Sequence, residues 1–203
     1  MSTDVVKEIT VGNKTLTIWY DQFVGNPCDE WFMGVYDFFG RRQHLGTNPD
    51  SKYYEGVRKK YGSREEYERE LKQIVRKGGV VLPVFAYEHG GIALKTTEFS
   101  CPWDSGQIGY AYLTTEQIAS KLGFKKGAKG RKKAAETLLK GEIQTLSSWA
   151  NGEIYGFTLE EGDELVESIG GFYEWKDFDT LLDEMKENVS EEHREIFDAM
   201  KEA

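Results

Sequence analysis

Three pairs of strand-forming runs, each joined by a glycine-bearing turn, limit the folds open to this chain. Lys7–Val11 and Thr15–Tyr20 are rich in β-branched and aromatic residues, and Gly12-Asn13 between them suits a tight hairpin turn. Val80–Tyr87 and Ile92–Thr97 are joined across Gly90-Gly91. Ile154–Leu159 and Glu164–Ile169 are joined across Glu161-Gly162-Asp163, and Ile108–Leu113 adds a further strand. Helical patterns fall between these runs at irregular intervals, with no βαβ period of about 30 residues. The pattern predicts an α+β fold: an antiparallel sheet built from hairpins, packed helices, and a peripheral acidic C-terminal helical tail.

The helices carry their own start and stop signals. Ser63 is placed to cap a helix whose first turn holds Glu65 and Glu66, and Gly78-Gly79 ends it. Thr114 or Thr115 opens a shorter helix that Gly123 closes. From about Gly130 to Ala150, Ala134, Ala135, Leu138, Leu139, Ile143, Leu146 and Trp149 form one apolar face. Phe178–Glu187 and Glu191–Lys201 read as two short terminal helices. Val80–Tyr87 is almost continuously apolar, as in a strand covered on both faces, and Pro83 restricts it to an edge position or a bulge. Trp31–Phe39 is too apolar for a solvated loop and reads as a short strand or a wall of the core. The simplest division is a core domain over residues 1–175 and a helical tail over 176–203.

Composition narrows the class. The chain has 203 residues, 39% of them hydrophobic, which is enough to bury a core. Its formal net charge is −9 and its pI is about 5.0, which weighs against nucleic-acid binding by the whole surface. No apolar run reaches the ~18 residues of a membrane span, and Met1–Thr10 has no secretory pattern. Cys28 and Cys101 are too few for a disulfide scaffold, and no His-x-x-x-His or Cys-x-x-Cys spacing occurs. The expectation is a cytoplasmic globular protein with no metal and no cofactor. Plentiful aromatics leave homodimerisation open.

Charge is segregated along the chain. Residues 121–140 hold eight Lys/Arg against one Glu, and residues 158–203 hold sixteen Asp/Glu against four Lys/Arg. Lys125, Lys126, Lys129, Arg131, Lys132 and Lys133 lie in a glycine-bearing loop entering a helix N-terminus, an arrangement that favours anions. The plainer reading is a solvated basic loop. Glu187, Glu191, Glu192, Glu195 and Asp198 form a carboxylate-rich surface that can imitate phosphate spacing and occupy a partner's basic groove. Its plainer reading is a solvent-facing helix.

The block Cys101-Pro102-Trp103-Asp104-Ser105-Gly106-Gln107 carries the remaining chemistry. Cys101 is a potential nucleophile, His89 a potential base, and Asp104 a residue to orient the histidine. The same turn also reads as a structural plug with Trp103 buried. The block resembles a family of uncharacterised proteins carried by bacteriophages and other mobile elements. Asn26-Pro27-Cys28-Asp29, Arg41-Arg42-Gln43-His44-Leu45-Gly46, Ile154-Tyr155-Gly156-Phe157 and Ser168-Ile169-Gly170-Gly171-Phe172-Tyr173 resemble its other blocks. The chain departs from that pattern at Cys28 and at Arg41-Arg42-Gln43-His44.

The resemblance implies an origin more than an activity. Together with the acidic tail and the absence of a recognisable catalytic set, it leads to the expectation of an accessory protein that binds and inhibits a host protein, such as a nucleic-acid-binding defence factor, without catalysis. One alternative is a small enzyme acting on a nucleotide or nucleic acid through Cys101, His89 and Asp104. Another is a nucleic-acid-binding module using the 121–133 loop.

Overall fold

The hairpins form two sheets, not one. The computed structural model describes residues 4–38, 44–47, 63–125, 127–173 and 177–203. Contacts divide the chain into two units, Met1–Val24 with Ser148–Ala203, and Gly25–Ser147. The α+β reading holds, whereas the 175/176 boundary does not coincide with this division.

The first unit contains β1 (Val5–Val11), β2 (Lys14–Tyr20), β7 (Ile154–Glu161) and β8 (Glu164–Tyr173), antiparallel in the order β1-β2-β7-β8. Gly12 has φ 65° at the first hairpin, where a β-carbon would be strained. Leu16 and Ile18 on β2 and Phe157 and Leu159 on β7 are fully buried on one face. Phe178–Lys186 and Glu195–Glu202 bury Leu181, Leu182, Met185, Ile196, Phe197 and Met200 in the same cluster. These helices are therefore the second layer of a two-layer unit and not a peripheral tail. The pattern of i, i+3 and i+4 apolar residues was plain in the sequence; the sheet face it covers was not.

The opposite face of this sheet is polar. Thr10 and Thr15 hydroxyls lie 3.0 Å apart, Thr17 donates to Glu8, and the Trp19 indole donates to Thr158 at 3.1 Å. Trp19 lies across Gly156, whose missing β-carbon leaves space for the ring. A ladder of short hydroxyls and one indole stabilises this face.

The second unit contains α1 (Pro27–Glu30), β3 (Val35–Phe38), α2 (Arg64–Arg76), β4 (Val80–Glu88), β5 (Ile92–Lys95), β6 (Ser105–Leu113), α3 (Thr115–Leu122) and most of α4 (Arg131–Asn151). Its sheet order is β3-β6-β4-β5. The terminal helices of the first unit are α5 (Phe178–Lys186) and α6 (Glu195–Glu202). Ser63 caps α2 through the Glu66 amide, and Thr114 with Gln117 forms a reciprocal capping box on α3. Pro83 lies on an interior strand, yet β5 pairs only with Phe85–Glu88, so the Pro83 nitrogen faces an unpaired edge.

Tyr67 and Leu71 of α2 pack with Tyr112 on one face of this sheet. At the β5 edge of the sheet α4 is joined to the strand: Ser147 accepts from the Leu94 amide and donates to the Ile92 carbonyl.

Phe197 tests the two-layer unit. It is fully buried and meets Phe157 edge-on at 5.3 Å. Phe197→Ala is expected to cost about 3–5 kcal/mol in urea denaturation, as for a large aromatic removed from a core. A loss below ~1 kcal/mol would return the terminal helices to a peripheral role.

Candidate functional site

The second sheet has two ends, and the candidate residues divide between them. Pairing runs from Val80 opposite Leu113 to Tyr87 opposite Ser105. The nine residues of β6 separate these ends by about 25–30 Å at ~3.3 Å per residue.

At the Tyr87/Ser105 end, the loop before β6 brings Cys101, Asp104 and His89 together. The Cys101 thiol donates to Asp104 Oδ2 at 3.6 Å, and His89 Nδ1 lies 3.8 Å from the same oxygen. The Glu88 amide donates to the Asp104 carbonyl at 2.9 Å, and the Ser105 hydroxyl to the Cys101 carbonyl at 2.5 Å. The order is cysteine, aspartate, histidine. A nucleophilic triad needs the histidine between the other two, where it can take the thiol proton. Here that proton points at a carboxylate oxygen, and the exposed imidazole contacts that same oxygen.

Trp103 departs from the structural-plug reading. It is 92% exposed, while the residues around it are held by the bonds just described. Beside the loop, Tyr87 stacks on Phe99 with ring centroids 5.6 Å apart, and Lys95 Nζ lies 4.0 Å over the Phe99 ring.

At the Val80/Leu113 end lies the basic loop. Lys125, Lys129, Lys132 and Lys133 are exposed, and Lys126 lies outside the described residues. Arg131 does not join them. It is buried, and its guanidinium donates to the Gly78 carbonyl at 2.8 Å, past the C-terminus of α2. A cation there complements the negative helix end, so this residue has a structural role at the end of α2. An enzyme that used the basic loop for phosphate and the Cys101 cluster for chemistry would need both at one place. They stand at opposite ends of β6.

Two buried carboxylates have roles that the sequence did not reveal. Glu142 accepts from the Met33 amide at 2.6 Å, the Gly34 amide at 3.0 Å and the Tyr36 hydroxyl. It falls on the apolar stripe of α4, four residues after Leu138 and four before Leu146, and that position was the available signal. Asp37 accepts from the Tyr67 and Tyr112 hydroxyls, each at 3.2 Å. Burial, then the charge of Glu142, pushes the Tyr36 hydroxyl far above the usual phenol range. Burial, with Asp29 and Glu142 adding, does the same to the Cys28 thiol. These groups build the core of the unit.

A groove of about 510 Å³ lies between α2 and the sheet, with Leu71, Val75, Val81 and Tyr110 in its floor and Glu68, Lys72 and Arg76 at its rim. Among the described residues, no group of three or more His, Cys, Asp or Glu side chains is arranged to hold a metal ion. No helix among them is long and apolar enough to cross a membrane.

Some carboxylates of the C-terminal helices are paired with cations of the same segment. Lys186 meets Asp198 at 2.5 Å, Lys201 meets Asp183 at 2.5 Å, and Arg194 meets Glu187 at 3.2 Å. Glu191, Glu192 and Glu195 are exposed. The unit formed by residues 1–24 and 148–203 carries twenty Asp/Glu against six Lys/Arg. Residues 25–147 carry twenty Lys/Arg against fifteen Asp/Glu. The segregation of charge along the chain is thus a segregation between units.

Comparison with family models, curated proteins and solved structures finds no match for this chain.

Two measurements test this description. In the native protein one thiol is expected to react rapidly with a disulfide reagent and to vanish in Cys101→Ala, because Cys28 is buried; two fast thiols would contradict it. Stability should also fall as pH rises past about 9. Cys28 and Tyr36 hold their protons more tightly when folded, so the unfolded chain releases them first. Urea midpoints at pH 8 and pH 10.5 read this decline, and Cys28→Ala should flatten part of it.

Proposed function

We propose that the chain is a non-catalytic binding protein whose acidic unit occupies a basic groove on a partner protein, such as a nucleic-acid-binding defence factor of a host. The observation that carries this reading is the excess of carboxylates in one folded unit. Its apolar side chains are used in packing α5 and α6 on the sheet, which leaves the carboxylates to solvent. Lys186 of α5 pairs with Asp198 of α6, and Arg194 with Glu187, which joins the two helices. An array of fixed negative charge steers and orients a basic partner more than it adds raw affinity.

The resemblance of the Cys101–Gln107 block to bacteriophage and mobile-element proteins supports a host target and action in the host cytoplasm. The misordered Cys101, Asp104 and His89 favour binding over catalysis. A second reading has an observation of its own: exposed Lys125, Lys129, Lys132 and Lys133 sit in a unit with net positive charge, and would take nucleic acid there.

Capture from nuclease-treated host lysate tests the main reading. A stoichiometric protein partner should be retained by the wild type, released by high salt, and lost in Glu191→Lys/Glu192→Lys/Glu195→Lys. Retention by the triple variant, or no protein partner, would reject it. For the second reading, affinity for nucleic acid should fall steeply with salt, with a slope of roughly one unit per phosphate contact.

A further inference from the structure

Exposed tryptophan is costly to leave in water unless something covers it, since a large indole buries 150–250 Å² when packed. Trp103 is 92% exposed on a loop that is not loose. Four contacts hold it: Ser105 to the Cys101 carbonyl, Cys101 to the Asp104 carboxylate, Glu88 to the Asp104 carbonyl, and His89 beside Asp104. Little ordering remains for binding, which is how an anchor residue is prepared.

The surroundings narrow the occupant. Glu88 and Asp104 are exposed at this end of the sheet, Glu98 is exposed next to Phe99, whose ring stacks on Tyr87 there, and the exposed lysines of the 125–133 loop are at the other end. The local charge therefore repels a phosphate chain and favours a cation. Ring faces here already accept one, since Lys95 sits over Phe99. Arginine suits such a place better than lysine, because its planar guanidinium stacks on an indole and pairs with a carboxylate at the same time.

We infer that the Cys101–Ser105 loop is a docking site for an arginine side chain of a protein partner, stacked on Trp103 with Asp104 and Glu98 supplying countercharge. The site belongs to residues 87–105 and does not rest on the acidic-surface reading.

The test follows indole N–H resonances of the full chain, with the Trp103 signal assigned by its loss in Trp103→Ala. The probes are a capped Gly-Arg-Gly-Arg-Gly peptide, its citrulline counterpart and an eight-residue oligothymidine. The arginine peptide should shift the Trp103 signal saturably, and the other two should leave it in place. Asp104→Asn and Glu98→Gln should each weaken the peptide by about two- to fivefold, as for an exposed charge pair. Glu98→Gln leaves the loop's hydrogen bonds intact and so separates charge from loop geometry. Glu191→Lys/Glu192→Lys/Glu195→Lys should leave the response unchanged. No shift, an equal shift by citrulline peptide or oligothymidine, or a response lost in the triple lysine variant would each overturn the assignment.

Discussion

A two-stranded hairpin cannot stand alone in water, and the N-terminal hairpin is a case of this constraint. Leu16 and Ile18 are fully buried only because β7 pairs with β2 and the last two helices cover both strands. The first 24 residues therefore depend on the last 56, across the whole second unit. That closure fixes what faces water. Once α5 and α6 have placed Leu181, Leu182, Phe197 and Met200 inward, their acidic residues must lie outside. The acidic surface is a consequence of the packing.

In the second unit a buried carboxylate organises the turn before β3. Leaving Glu142 ionised in a core would be expensive without donors. Two amides and the Tyr36 hydroxyl supply them, and the segment around Met33 and Gly34 is thereby held against α4. Glycine is needed at position 34, since a β-carbon there would meet Leu139 at 2.6 Å. The same sheet carries the Cys101 loop at one end and the basic loop at the other, so its length in ångströms decides that they are separate features.

Local signals were legible where they were local in cause. The caps Ser63 and Thr114, the glycine ends of the helices, the hairpin turns and the apolar stripe of α4 each depend on residues within a few positions of one another. His89, Cys101 and Asp104 were named as candidates from residue type alone; their convergence depends on the pairing of β4 with β6, which brings residue 88 beside residue 104 although β5 lies between them in the chain. What could not be read was which side chain stands between the other two. That depends on the direction of the Asp104 carboxylate, which the loop's hydrogen bonds decide. Arg131 shows the same limit: in the sequence it is one of a run of cations, and in the fold the Gly78 carbonyl takes it out of that run.

The sequence by itself determined the α+β class, the antiparallel hairpins and the two patches of opposite charge, because these follow from side-chain type and short spacing. The tertiary structure alone decided that there are two sheets, that the terminal helices are a core layer, and that Trp103 faces solvent. It also decided that the basic loop and the cysteine block lie far apart. Each of these depends on pairing between segments distant in the chain. Burial is a property of the whole packed unit, and no window of a few residues contains it.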